Sequence, residues 1–429
     1  MKMKFALNRF ARIGLAIAFA SVTELSKAAD GPIVHEWGTF TSVQGGDGAL
    51  IPWQATEIGD LPKFVHNWMQ PDLNRRCHNM LLYGKGGLTS LQRMETPVIY
   101  FYSDKEMAAD VTVRFPKGYI TEWYPQAAQI GPSSIRSTNA TSAYVAKDSL
   151  IRWQNVQISP MKSAVRFATK LPSDTNGTHY FAARETDAAF LRANNFSPTN
   201  AADEHEKFLF YRGSGNFSTP LTVTVNDGGL FTLTNSGRSP ITGVLLLRVG
   251  NGFGEWQRLG DLRPGASSIF GKINLAMETG RLPFAEFKKN VSETMVRALT
   301  ETGLYPAEAK AMVKTWSDAW FAEEGVRVLY VLPRDWTDET LPLTLNPKPR
   351  ELVRVMVGRA EIVMPRTQQE IVAHLQRSDN GDKKSQKWLE DYAKKFGRFA
   401  PPAFQLARQH LARPENKPVA NVRATRYIP

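Results

Sequence analysis

From Glu95 onward the chain alternates apolar and polar residues in short runs. ETPVIYFYS, VTVRFP, YITEWYP, LIRWQNVQI, HYFAARE and KFLFYRG are rich in Val, Ile, Tyr, Phe and Trp, and each stops at Pro, Gly or polar residues. This pattern predicts strands of antiparallel sheets. Between Leu221 and Thr234, LTVTV and LFTLT alternate strictly on either side of Asn226-Asp227-Gly228-Gly229, which predicts a hairpin with one apolar face. VLLLRV, Val244 to Val249, is apolar on both faces and predicts a buried strand leading into a hairpin loop at GNGFGEW.

The period then changes to that of a helix. Phe284, Phe287, Val291, Met295 and Leu299 define one apolar stripe; Ala309, Met312, Val313, Trp316 and Trp320 define a second, on a helix starting at Pro306. Trp316 and Trp320 lie inside that stripe, so they are expected in the core and not on a carbohydrate platform. VRVLYVL, Val326 to Leu332, and LVRVMVGRAEIVM, Leu352 to Met364, return to strand character, joined by an extended connector, LPLTLNPKPR. From about Thr367 the chain is helical again, in TQQEIVAHLQR, KKSQKWLEDYAKKFG and PPAFQLARQHL. Near the start, Leu61 to Met69 and Leu73 to Tyr83 predict two short helices separated by Pro71.

These elements predict a mainly β protein with α: an antiparallel β-sandwich plus packed helices and a helical C-terminal segment. At 429 residues the chain exceeds the ~250–300 residues through which one core usually grows, so several segments are expected. They are a signal peptide at 1–28, an N-terminal segment with short helices at 29–94, and the sandwich region at 95–272. Helices and returning strands follow at 273–365, then the helical segment at 366–412 and a tail at 413–429. Leu221 to Phe270 resembles part of an immunoglobulin-like sandwich, and WLEDYAKKFGRFAPPAFQLARQHL resembles one helix-turn-helix unit of a HEAT-like array. A single such unit must dock on the body or on another chain.

The signal peptide is read from the basic Lys2, Lys4, Arg9 and Arg12, the apolar run Ile13 to Val22, and Ser26-Lys27-Ala28, after which cleavage is expected. Its removal takes away five Lys/Arg and one Glu, so the formal charge of +12 falls to +8. No later stretch reaches the roughly 18 apolar residues of a transmembrane helix, so the mature chain is expected to be soluble in a periplasmic or extracellular compartment. The basic residues are scattered and form no block with interleaved aromatics, so nucleic acid is not an expected partner. Polysaccharide, or another exported protein, is. The single cysteine, Cys77, excludes an internal disulfide, and its spacing with Leu73, Met80 and Leu81 predicts burial on a helix face.

The stretch IVHEWGTF, from Ile33, combines a histidine, a carboxylate and a tryptophan. On a strand, His35 and Trp37 point one way and Val34, Glu36 and Phe40 the other, so His35 and Glu36 cannot share a ligand without a bulge, for which Gly38 is the nearby opportunity. Glu36 then sits on an apolar face and requires a cationic partner, an arginine, with Arg184 and Arg212 as the candidates. The candidate catalytic residues are His35, Glu36, Glu122 and Glu185; paired carboxylates in one cleft, with Trp37, Trp123 and Tyr124 nearby, would suit glycoside cleavage. No HExxH, zinc-ligand spacing or GxSxG occurs, so no metal and no cofactor is expected. GKGG at Gly84 lacks the rest of a phosphate loop. Asp379-Asn380-Gly381-Asp382 lacks the third-position ligand of a calcium loop and predicts a helix N-cap.

VHEWGTFTS, ETPVIYFYS with ITEWYP, AARETDA, EKFLFYRG, and WFAEEGVRVLYVLPR with VRVMVGRAEI together resemble a family of exported bacterial proteins that begin with HEWGT after the signal peptide. The resemblance implies export and a shared fold and carries no activity or catalytic residue. The expectation is an exported binding or structural protein of the cell envelope or exterior; the alternative is a hydrolase acting on envelope or extracellular polymer through a carboxylate-rich cleft.

Overall fold

Strand β1 (Ile33–Gly45) is buried at every position after its first residue. A strand can tolerate that only inside a sheet covered on both faces, and β1 occupies such a place. The computed structural model describes residues 31–54, 61–67, 89–131, 134–136, 145–176, 178–194, 202–270 and 281–413. The signal peptide, the expected helix at 73–83 with Cys77 and His78, the GKGG turn and all but the first residue of the C-terminal tail lie outside them.

Among the described residues the main sheet has ten strands. Besides β1 it contains β2 (Gln92–Tyr102), β3 (Gly118–Tyr124), β4 (Leu209–Gly215), β5 (Thr242–Gly250), β6 (Phe253–Arg258), β7 (Gly325–Leu332) and β8 (Glu351–Val363). Their order is β6-β5-β7-β8-β1-β2-β4-β3, with the short strands Leu282–Pro283 and His66–Asn67 at the two edges. All of these pairings are antiparallel except β1 with β8, which is parallel and places Glu36 opposite Arg354. Opposite Gly38 the register shifts, with Trp37 facing Val98 and Thr39 facing Glu95. Thr96, at φ 51°, and Pro97 form the bulge on β2, and a side chain at Gly38 would press on Pro97. The bulge lies beyond His35 and Glu36, so those two keep opposite faces.

A six-stranded sheet carries Met107–Phe115 and Ser149–Ser159 at its centre, and a three-stranded sheet contains the hairpin Leu221–Val225 and Phe231–Asn235 with Ser267–Phe270. One apolar cluster joins Phe40, Ile99, Trp123, Tyr211 and Tyr330 of the main sheet to Val111, Trp153 and Ile158 of the second and Val223 and Leu233 of the third. The fold is thus mainly β, with 41% strand and 31% helix among the described residues.

The other face of the main sheet is covered by helices. α1 (Phe284–Glu301) and α2 (Pro306–Phe321) lay Phe287, Val291, Met295, Leu299, Met312, Trp316 and Trp320 on Trp37, Tyr100, Leu247, Leu329 and Val355. Each such buried side chain contributes ~1.5–3 kcal/mol. Further along the same face, α3 (Pro365–Asp379), α4 (Lys383–Phe396) and α5 (Ala400–Ala412) bury Ile371, Leu375, Tyr392, Phe399 and Ala403 against Val43, Ile51, Trp53 and Val363. The C-terminal helices therefore dock on the body of the same chain. Asp382 caps α4 by accepting from the backbone N–H groups of Lys384 and Ser385.

Two expectations need correction. The predicted helix at Leu61 to Met69 is, over its described residues 61–67, a turn ending in the edge strand His66–Asn67, because those residues pair with Trp123 and Glu122. HYFAARE is not a strand: Thr178–Ala182 is a helical turn that buries Tyr180. The main sheet takes strands from 29–94, 95–272 and 273–365, and the connector supplies Leu343–Asn346 to the second sheet.

Among the described residues no helix is long and apolar enough to cross a membrane.

Candidate functional site

The opening strand sends its two chemically active residues in opposite directions. His35, fully buried, has Nδ1 2.7 Å from Glu308 Oε2. Glu308 also accepts from the Tyr102 hydroxyl at 2.8 Å and from the Tyr305 backbone N–H at 2.8 Å, so it closes the N-terminus of α2. On the opposite face Glu36 accepts from Tyr211 at 2.6 Å and from Arg354 Nε at 2.5 Å, and Arg354 continues to Asp338 at 2.7 Å. Burial disfavours the Arg354 cation, yet Glu36 more than offsets this and raises its pKa; burial and the same carboxylate push the Tyr211 phenol well up. The cationic partner of Glu36 is thus Arg354, and neither Arg184 nor Arg212. Arg184 holds Glu206 at 2.7 Å, while Arg212 stands opposite Glu122 and acts on Glu95.

The other candidate residues are dispersed. Glu122 is buried and accepts from the Thr121 hydroxyl, and Glu185 is exposed, 2.5 Å from Lys314. His66 bonds Glu204 at 2.9 Å and His374 stacks on Trp388 at 4.1 Å. Burial lowers the pKa of His205. Among the described residues no three His, Cys, Asp or Glu side chains gather as an ion-binding group. His35, Glu36, Glu122 and Glu185 are therefore four separate positions.

What the structure does bring together is a chain of charges between α2 and the C-terminal helices, of which Glu95, Arg327, Arg359 and Glu361 are buried and Glu323 and Arg398 half-buried. Arg398 Nη1 lies 2.8 Å from Glu95, and its Nη2 lies 3.4 Å from Glu323. Glu323 meets Arg359 at 2.6 Å, Arg359 meets Glu361 at 2.8 Å, and Glu361 meets Arg327 at 3.0 Å. The guanidiniums of Arg359 and Arg398 also lie 4.7 and 4.9 Å from the Phe399 ring centre. Burial alone would raise the Glu323 carboxyl, but Arg359, Arg398 and Arg327 overcome it and hold the group at about 2. Glu95 is likewise lowered, burial being outweighed by Arg398, Arg93, Arg212 and Arg359.

Glu361, at the end of this network, lines a cleft of about 480 Å³, within the ~300–1,000 Å³ of small-molecule sites. One wall is the β5–β6 hairpin, whose turn residues Asn251 and Gly252 both have positive φ, the two-residue geometry that an Asn-Gly pair favours. The opposite wall is the start of α3 and the end of α4, with Arg366, Glu370, Tyr392, Lys395 and Phe396, and Glu361 and Phe399 join the cleft to the charge network. Lys395 reaches across to Glu324 at 2.7 Å.

Deeper in the hairpin wall, Arg248 Nη1 and Glu255 Oε2 stand 3.9 Å apart, and both atoms are buried with no hydrogen-bond partner among the described residues. Arg281 is close enough to act on both. Burial raises the Glu255 carboxyl against the pull of Arg248 and Arg281, and burial followed by repulsion from Arg281 lowers the Arg248 guanidinium. Phe253, 45% exposed, stands beside the turn and lines the same cleft.

The signal for this site was present as charges inside apolar strand runs. Arg248 interrupts VLLLRV, Arg327 interrupts VRVLYVL, and Arg359 and Glu361 sit in VGRAEIV. A charge inside a buried strand requires a partner or a function.

The chain matches no protein-family model, and no curated protein matches it significantly.

Proposed function

We propose that this protein is an exported, soluble binding protein of the cell envelope or exterior, and that its ligand occupies the cleft between the β5–β6 hairpin and α4. The observation that carries the reading is the pair Arg248 and Glu255, two residues of the cleft lining whose buried Nη1 and Oε2 lie 3.9 Å apart without hydrogen bonds among the described residues. A desolvated, unmatched polar atom costs roughly 1–3 kcal/mol, a cost that a ligand supplying the missing partner recovers. Export rests on the basic and apolar pattern of residues 1–28, and membership of the HEWGT-opening family belongs to the same proposal. A β-sandwich with 221–270 as its immunoglobulin-like part is supported by the apolar cluster shared between sheets.

The alternative, a hydrolase of extracellular polymer, is favoured by one observation: burial raises the Glu255 carboxyl, the state required of a general acid. Against it stand the other carboxylates of the cleft. Glu361 is held by two arginines, Glu324 by Lys395 and Glu370 by Arg366.

A screen of soluble glycans and polymers, read both for binding and for released products, tests the proposal. Thr367, on the cleft wall, supplies the control: Thr367→Trp fills the cleft without removing a charge. Binding abolished by this substitution supports the reading. Binding that survives it places the ligand elsewhere, and product release lost in Glu255→Gln decides for the hydrolase.

A further inference from the structure

We infer that the cleft recognises a neutral saccharide, with ring hydroxyls on Lys395 and Glu324 and sugar faces on Phe253 and Phe396. This rests on the cleft being the binding site. Its lining sets four arginine and lysine side chains against four glutamates, so it offers a ligand no net charge. The accessible members are already matched in pairs. Lys395 and Glu324 lie 2.7 Å apart with side chains 41% and 32% exposed, and Arg366 and Glu370, both exposed, lie 3.2 Å apart. Exposed pairs of this kind add little to stability, so they share their hydrogen bonds with a ligand at small cost. An ammonium has three donors and a carboxylate about four acceptor sites. Lys395 turns donors toward Glu324 and, at 3.4 Å, toward Asn251 Oδ1. Its third N–H and the other lone pairs of Glu324 then suit two neighbouring hydroxyls, one accepting and one donating. An ionic ligand would meet a like charge in each pair.

The apolar surface open to a ligand is aromatic. The aliphatic lining residues Val249, Val326, Ile362 and Met364 each keep at most 8% of their surface exposed, so the cleft has no deep apolar hole for a peptide side chain. Phe253, by contrast, is an exposed ring on the hairpin wall. Phe396 is half-buried on the α4 wall, where its ring centre lies 4.3 Å from that of Tyr392. The C–H face of a sugar packs on a flat ring of this kind while its hydroxyls reach the polar groups alongside. Rings on both walls, with matched donors and acceptors between them, therefore favour a saccharide over a peptide.

Calorimetric titration of the protein tests this, with the neutral trimers cellotriose, maltotriose and mannotriose against a galacturonic acid trimer and the uncharged peptide N-acetyl-Ala-Phe-Ala amide. At least one neutral trimer is expected to bind at least tenfold more tightly than the acidic trimer and the peptide. Lys395→Met and Phe253→Ala should each weaken it at least tenfold while the circular dichroism and melting temperature remain those of the parent. Thr367→Trp should abolish binding altogether. Binding of the acidic trimer or of the peptide as tight as that of every neutral trimer, indifference to both Lys395→Met and Phe253→Ala, or no binding of any neutral trimer would each overturn the inference. Neutral-trimer binding that survives Thr367→Trp overturns the cleft reading itself. Preferential binding of the acidic trimer or the peptide that Thr367→Trp blocks spares that reading and removes only the neutral saccharide.

Discussion

Arg398 and Glu95, 303 residues apart in the chain, lie 2.8 Å from one another beneath the C-terminal helices. Glu95 comes from the second strand of the main sheet and Arg398 from the turn between α4 and α5, so the contact fastens the helical segment to the sheet. Removing one partner of a buried ion pair strands the other charge, at about 3–5 kcal/mol. Glu95→Ala should lower the unfolding free energy by about that amount, measured by urea denaturation. A loss below about 1 kcal/mol, as for a surface pair, would show that the network does not hold the helices.

The same network sets an acid limit. Glu323 is depressed from an ordinary 4.5 to about 2, and Glu95 is also lowered. A carboxylate with a depressed folded-state pKa contributes stability that is fully present above its unfolded value and lost as the pH falls through the folded one. The melting temperature should therefore fall between about pH 4.5 and 2, and Glu323→Gln should flatten that part of the profile. An unchanged slope in the variant would remove Glu323 from the account.

Glu36 and Arg354 supply a test of pairing. A double-mutant cycle on Glu36 and Arg354 should give a coupling of about 0.5–3 kcal/mol, whereas Glu36 and Arg184, with separate partners, should be additive within about 0.5 kcal/mol. Coupling to Arg184 in place of Arg354 would contradict the parallel register of β1 and β8.

Trp320 is fully buried under the helical layer. Trp320→Ala should cost about 3–5 kcal/mol of stability and leave the affinity of the folded protein for its ligand unchanged. Loss of binding without loss of stability would make the tryptophan part of a ligand platform.

Glu255 gives the cleft a pH dependence of definite sign. Its raised carboxyl faces Arg248 and Arg281, while Glu324, Glu361 and Glu370 are matched by Lys395, by Arg327 and Arg359, and by Arg366. Protonating Glu255 removes a negative charge beside the two arginines, so affinity for an anionic ligand of the cleft should rise as the pH falls toward its raised pKa. Glu255→Gln should flatten that rise; a parallel profile in the variant would assign it to another group.

Local pattern carried much of this architecture. The alternation around Asn226-Asp227-Gly228-Gly229 reads as a hairpin because the turn chemistry lies within a few residues, and Phe287, Val291, Met295 and Leu299 read as one helix face for the same reason. Alternation also implies that Glu36 enters an apolar face and needs an arginine. It could not say which one, because the choice of Arg354 depends on parallel pairing of strands whose residues are 318 positions apart. HYFAARE looks like a strand by composition, yet Tyr180 is buried from a helical turn, with its hydroxyl donating to Glu206. The cleft was hidden for a similar reason: Arg248 and Glu255 are close in sequence, but Lys395 and Phe396 reach them only after the C-terminal helices dock.

Hydrogen–deuterium exchange of the protein with and without a glycan or polymer that binds in the screen tests the central claim most directly. Protection confined to residues 248–256, 364–370 and 392–399 is the predicted result. Protection centred on the His35 and Tyr102 region, or none at a saturating concentration of that ligand, would contradict it.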